Sequence, residues 1–263
     1  MLVRALFEAS EAAFWRDHFT ELRLAGTYPG DVIGVDPSSS DPLRKYPRMI
    51  HMHRWDEVAL AWLLEPRLAR VLTSILRGRE PFAVQTMLYF KPPGARGQAP
   101  HQDQYYLRAS PGTCVAAWMA LDACDDENGC LQVVPGSHEW PVLCTVPADT
   151  SRSFTDVTVP LPSDVELVQV PMQPGDVLFF NGSLVHGSEP NTSGRFRRAL
   201  IGHYVEGEAT QVARWYHPVL RLDGSEVDLL QSSGGGICGE WVEHDGRRAI
   251  ELTGYAADPR TTE

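Results

Sequence analysis

From Pro81 onward the chain is cut by turn residues every 8 to 15 positions, and this spacing constrains its fold most tightly. Phe82–Phe90 stops at Lys91-Pro92-Pro93-Gly94. Thr113–Leu121 ends before Asp125-Asp126-Glu127-Asn128-Gly129. Cys130–Val134 breaks at Pro135-Gly136-Ser137, and Val165–Val170 leads through Pro174-Gly175-Asp176 into Val177–Phe180. Arg198–Val205 is the last clear run. Short apolar runs bounded in this way read as strands. So many of them predict a sandwich or barrel rather than a parallel α/β sheet. Asn128-Gly129 is the strongest hairpin signal in the chain.

The first third reads differently. Ser10 is a candidate N-cap, and Phe14, His18, Phe19 and Leu22 share one helical face before Gly26. Asp56 is placed to cap a second helix, and Pro66 suits a first helical position. Leu68, Val71, Leu72, Ile75 and Leu76 continue an apolar stripe that Gly78 ends. The run Ser232–Gly236 reads as a linker or a mobile loop that covers a site. The short tail beyond it leaves little room for a second domain, so residues 1–263 are expected to form one.

The balance of 23 basic against 34 acidic residues gives a net charge of −11. With no basic run, nucleic acid is not an expected partner. No stretch is apolar enough for a membrane span. Arg4, Glu8 and Glu11 interrupt the opening residues in a way that argues against a signal peptide. The five cysteines, Cys114, Cys124, Cys130, Cys144 and Cys238, contain no CxxC pair. They read as free thiols in a reducing compartment, which makes the cytoplasm the expected location.

Chemistry is expected around His101-Gln102-Asp103. On a strand, positions i and i+2 face the same way, so an imidazole and a carboxylate would project side by side. His186, at the end of the Val177–Val185 apolar run, is the candidate third ligand. Two histidines and one carboxylate form the facial set that suits non-haem Fe(II) and leaves positions open. A core histidine is the plain alternative for His186 taken alone. A hairpin at Pro190–Gly194 would set Arg197 on the strand beside His186, where its guanidinium could clamp a carboxylate. Alternation puts Arg195 and Arg197 on one side and Arg198 on the other.

These segments together resemble the phytanoyl-CoA dioxygenase family. Gln85–Phe90 with Lys91-Pro92-Pro93-Gly94 and Pro100-His101-Gln102-Asp103 is similar to its first half. Trp118-Met119-Ala120-Leu121-Asp122, Glu127-Asn128-Gly129-Cys130-Leu131 and Val134-Pro135-Gly136-Ser137-His138 are similar to its centre. Pro174-Gly175-Asp176-Val177-Leu178-Phe179, His186-Gly187-Ser188 and Arg197 are similar to its distal part. The resemblance runs from about residue 81 to 205 in the family's order. It implies a mainly β fold with flanking helices around a double-stranded β-helix (jelly-roll, cupin-like) core. The expected organisation is a helical part over about 1–80, the jelly roll over about 81–205 and an extension over 206–263. It also implies Fe(II), 2-oxoglutarate and O2 as cofactor and co-substrates. His101, Asp103 and His186 match the iron ligands. Arg197 matches the partner of the distal carboxylate of 2-oxoglutarate, Ser188 a supporting hydroxyl, and Trp118 an aromatic of that pocket, although core packing explains Trp118 nearly as well. Met87 and Gln85 lie on the strand that touches co-substrate or substrate. The amino end departs from the family, since only Leu2–Phe7 stands for its usual opening run.

The implied activity is hydroxylation of an aliphatic C–H of a small-molecule metabolite, in secondary metabolism for example, with release of succinate and CO2. An Asp at 103, where related halogenases carry a small residue, disfavours halogenation. Desaturation, epimerisation or cyclisation on the same site, a cupin-like isomerase and a non-catalytic jelly-roll binding protein are the alternatives. His51-Met52-His53, the only His-x-His, lacks the following Glu that such an isomerase would need. Tyr105, Tyr106, Trp140, Trp215 and Tyr216 are expected to wall the substrate pocket. The acidic composition favours a neutral or cationic substrate over a coenzyme A thioester. The chain is expected to be a monomer or homodimer.

Overall fold

A computed structural model describes residues 1–31, 33–232 and 236–256. Eight strands build two facing sheets: β1 (Pro81–Lys91), β2 (Gln98–His101), β3 (Cys114–Ala120), β4 (Leu131–Val133), β5 (Val168–Val170), β6 (Val177–Asn181), β7 (His186–Ser188) and β8 (Arg197–Glu206). The major sheet runs β6-β3-β8-β1 and the minor sheet β2-β7-β4-β5, with antiparallel pairing among these strands. Consecutive strands alternate between sheets except β4 and β5, which are neighbours in the minor sheet, and this is the wiring of a jelly roll. The major sheet grows to eight strands through Leu2–Val3, Met49–Ile50, Val219–Leu220 and Glu226–Val227.

Residue parity sorts the major sheet into two apolar layers. Val115, Ala117 and Met119 of β3, Val177 and Phe179 of β6, and Leu200 and Tyr204 of β8 pack outward against Phe19, Trp62, Leu68 and Leu72. Ala116, Trp118, Leu178, Phe180, Ala199 and Ile201 point inward against Leu131 of the minor sheet. Strands covered on both faces lose polar alternation, so β3 is buried at every position.

The outer layer is carried by α1 (Ala9–Leu24), α2 (Glu57–Leu63) and α3 (Pro66–Ile75). Asp56 caps α2 by accepting from the Ala59 amide at 2.7 Å, and Pro66 opens α3, both as the sequence reads. The α1 cap differs. Glu8 and Glu11 form a reciprocal capping box, so Ser10 lies inside the helix. The buried face is Ala12, Trp15, Phe19 and Arg23, while Phe14 is 55% exposed. Counting large apolar residues misplaced the stripe, because a small residue and an ion-paired arginine hold two of its positions. Arg23 is buried against Asp31.

Two further expectations are corrected. Asp125–Gly129 is a turn, tied by Asn128 to Ala123 and Asp125, but it joins strands of different sheets and makes no hairpin. The cysteines are not all free: Cys144 and Cys238 form a disulfide, and Cys114, Cys124 and Cys130 are buried thiols. The bond ties the loop after β4 to β9 (Gly236–His244), which pairs with β10 (Arg247–Ala256) as a hairpin. The argument for the cytoplasm from cysteine count falls with it. No helix of the described residues is long and apolar enough to cross a membrane. Of Ser232–Gly236, residues 233–235 lie outside the described residues.

Candidate metal centre and co-substrate pocket

His101 ends β2 and His186 opens β7, and the two are cross-strand partners with ring centroids 4.2 Å apart. Asp103 reaches the same point by another route than strand alternation. β2 stops at His101, and Asp103 has helical dihedrals (φ −62°, ψ −32°) at the start of the single turn Gln104–Leu107. One of its carboxylate oxygens lies 3.6 Å from Nε2 of His101 and 3.7 Å from Nε2 of His186. One ligand atom from each residue falls within 4.8 Å of the others, and all three residues are buried.

The rings are held for this purpose. His101 Nδ1 donates to the Ala99 carbonyl at 2.9 Å, and His186 Nδ1 to that of Leu184 at 3.0 Å. Each bond leaves Nε2 as the bare nitrogen, the tautomer that binds a metal. The Gln98 amide meets His101 Nε2 at 3.1 Å, a contact a metal ion would displace. Burial, then the neighbouring His186, depresses the His101 pKa to about 3, which keeps the ring neutral. Burial pushes Asp103 upward, but the imidazoles of His186, His203 and His101 outweigh it and hold the carboxyl well below its usual range. Two imidazole nitrogens and one carboxylate oxygen on a common point are a donor set that fits Fe(II).

Arg197 does not sit beside His186. The segment 189–196 crosses from the minor to the major sheet, and Arg197 begins β8 opposite Lys91 of β1. It faces inward from the other wall, 4% exposed, and still meets Ser188: its Nη2 donates to Ser188 Oγ at 3.4 Å and its Nε to the Gly129 carbonyl at 3.2 Å. Its guanidinium lies 5.5 Å from the Trp118 ring centroid. Alternation holds for Arg198, which turns outward onto Asp122 through two bonds of 2.8 and 3.0 Å. Arg195 is not on the inner side; it is exposed and pairs with Asp125 and Glu127.

Lys91 and His203 were missed by reading the sequence. Lys91 Nζ, buried beside Arg197, donates to Ser188 Oγ at 2.8 Å and to the Gly129 and Glu189 carbonyls. Burial, then Arg197, pulls its pKa well below the ordinary lysine value. Two buried basic side chains with no carboxylate of the described residues in ion-pair contact make an environment that favours an anion.

A cavity of about 990 Å³ connects these groups. Its wall includes Gln85, Met87, Lys91, His101, Asp103, Tyr106, Trp118, His186, Ser188, Arg197 and His203, with Trp215 and Tyr216. Tyr105 and Trp140 are not part of it. Tyr105 packs with Cys238 and Ala256 beneath the β9–β10 hairpin, and Trp140 meets Trp241 edge-on at 5.1 Å. The overall acidity does not extend into the cavity. Arg44, Arg48, Arg54 and Arg96 join Lys91 and Arg197 there against Asp41, Asp103 and Asp156, which removes the basis for expecting a neutral or cationic substrate.

The family model for phytanoyl-CoA dioxygenase (PhyH) matches residues 1–199. Phytanoyl-CoA dioxygenase 1 of Oryza sativa subsp. japonica is 34% identical over 141 residues, covering 53% of this chain and 50% of that one. The chain thus spans about half the length of the first curated relatives it matches. Among solved structures, the epimerase SnoN from nogalamycin biosynthesis, in complex with Fe3+, alpha-ketoglutarate and nogalamycin RO, is similar with a TM-score of 0.61 at 21% identity, covering 80% of each chain. EctD from S. alaskensis with 2-oxoglutarate and 5-hydroxyectoine is similar with a TM-score of 0.61 at 24% identity, covering 78% of this chain and 71% of that one. These structural likenesses establish the jelly-roll fold.

Proposed function

The chain belongs to the phytanoyl-CoA dioxygenase family, and from that premise we propose that it is an Fe(II)- and 2-oxoglutarate-dependent oxygenase that hydroxylates an aliphatic C–H of a small-molecule metabolite. One observation carries the reading. Two imidazoles and a carboxylate converge on one wall of the cavity, and an arginine–lysine pair with no carboxylate partner among the described residues faces them from the other.

His101, Asp103 and His186 would hold Fe(II) by Nε2, a carboxylate oxygen and Nε2. Bound iron with 2-oxoglutarate and O2 supplies the oxidising power, releasing succinate and CO2. The protein's part is placement and exclusion of water. Arg197 would receive the distal carboxylate of 2-oxoglutarate in its two-donor fork. Ser188 Oγ accepts from Lys91 and Arg197, so its own proton is left for that carboxylate. Trp118 covers the Arg197 guanidinium, and Met87 lies on the inner face of β1 opposite Ile201. The cavity exceeds what a five-carbon keto acid needs, and the space toward Tyr106, Phe154 and Trp215 is where substrate would lie. We treat residues 1–263 as one oxygenase domain.

The test is Fe(II)-dependent succinate release from 2-oxoglutarate, screened over candidate metabolites with wild type and His186→Ala. Stimulated release by wild type alone supports the reading; full activity in His186→Ala refutes it. Because the similar SnoN is an epimerase, product analysis by mass and stereochemistry separates hydroxylation from inversion.

A further inference from the structure

His203 lies six residues after Arg197 on β8 and shares its inward parity. Its pairing with β3 is regular through His203, opposite Ala116, and the extra residue of the register shift against β1, Val84, lies on β1. The His203 ring is 5% exposed, and its Nε2 lies 3.2 Å from Oδ2 of Asp103. The other carboxylate oxygen, Oδ1, is the one facing His101 and His186. The two oxygens of Asp103 are therefore divided between two tasks on opposite sheets.

We infer that His203 is a positioning residue that fixes Asp103 as a one-oxygen metal ligand. The inference rests on the metal-centre reading above. A carboxylate that ligates a metal can only accept, so in the 3.2 Å contact His203 Nε2 is the donor. The other ring nitrogen, Nδ1, is buried with no hydrogen-bond partner among the described residues. The ring has therefore given up one polar contact to make the other, an arrangement that simple packing does not call for. Among the described residues no other group donates to Oδ2. Without the His203 bond that oxygen is free to swing toward the metal as a second donor, or the carboxylate to turn away. Outer-shell partners of this kind typically change metal affinity by roughly 10- to 100-fold.

The test uses full-length protein and Co(II), a spectroscopic stand-in for Fe(II). His203→Gln keeps a side-chain N–H donor at about the reach of Nε2. His203→Asn keeps polarity but is too short. His203→Leu removes the donor. Co(II) affinity is measured by chelator competition, and the visible d–d absorption reports coordination number. The expected order is wild type and His203→Gln alike, with His203→Asn and His203→Leu at least tenfold weaker and altered in band intensity. The metal-free melting temperatures of His203→Gln and His203→Asn should be close to each other. Equal Co(II) affinity and equal spectra for the Gln and Asn variants would overturn the assignment, even if the Leu variant does not fold. Failure of wild type to bind Co(II) would instead refute the metal centre itself, so the two ideas fail separately.

Discussion

Truncating Arg197 to alanine separates a co-substrate clamp from an ordinary strand residue. The guanidinium is buried, sits over Trp118 and spends donors on Gly129 and Ser188, with no carboxylate of the described residues within ion-pair reach. Burial lowers its pKa, as expected for a cation without a counter-ion. A bound dicarboxylate would supply that counter-ion. Removing one member of a desolvated, hydrogen-bonded charge pair costs about 2–5 kcal/mol. At about 1.4 kcal/mol per tenfold, 2-oxoglutarate affinity should fall by roughly thirtyfold at least. Lys91 cannot fully replace the lost charge, because its three donors are already committed to Ser188, Gly129 and Glu189. Arg197→Lys should rescue only in part, since an ammonium lacks the planar fork. Arg198→Ala breaks the outward pair with Asp122 and should lower the melting temperature while leaving 2-oxoglutarate affinity unchanged. Anaerobic titration of 2-oxoglutarate into the Fe(II) protein, followed by the metal-to-ligand charge-transfer band, measures all of these variants. Loss in Arg198→Ala with a silent Arg197→Ala would refute the reasoning.

Two more outcomes are expected. Asp103→Gly should end succinate release and weaken metal binding, while circular dichroism and the melting temperature of the metal-free protein stay near wild type; a large fall in melting temperature would show that the carboxylate props the fold instead. Cys144→Ser should destabilise the protein by roughly 2–4 kcal/mol, as loss of a long-range cross-link does. Denaturant titration with and without reductant checks this, and an identical midpoint in all samples would show that the hairpin docks without its bond.

What could be read from the sequence depended on whether the signal was local. Arg197 and Arg198 were sorted to opposite faces because a strand's period is two, whatever it pairs with. Asp56 and Pro66 mark helix starts by their own backbone chemistry. The hairpin at Pro190–Gly194 failed because the same turn residues serve a tight reversal and a crossing between sheets. The contact between Arg197 and Ser188 survived that error because the inner faces of the two sheets meet. Cys144 and Cys238 are 94 residues apart, with nothing local to pair them. Lys91 looked like the end of a strand, and its place opposite Arg197 exists only through the β1–β8 register. His203 carried a usable clue, the same parity as Arg197 within one strand, but its partner Asp103 lies in the helical turn that follows a strand of the other sheet.

The two histidines proposed as metal ligands and the proposed arginine clamp stand on different sheets. His101 and His186 belong to the minor sheet, while Arg197 and Lys91 belong to the major one. Facing sheets keep a separation of about 10 Å, set by the side chains between them. On the proposed reading, the keto acid spans that gap with one end at each wall. The sandwich then works as a caliper: Phe180, Leu131 and Ile201, which line the cavity between its two walls, set how long a diacid the protein accepts. Selection for a five-carbon co-substrate over one a methylene longer or shorter would then reside in the thickness of the core, and substitutions of those three residues would shift chain-length preference without altering a single ligand or clamp.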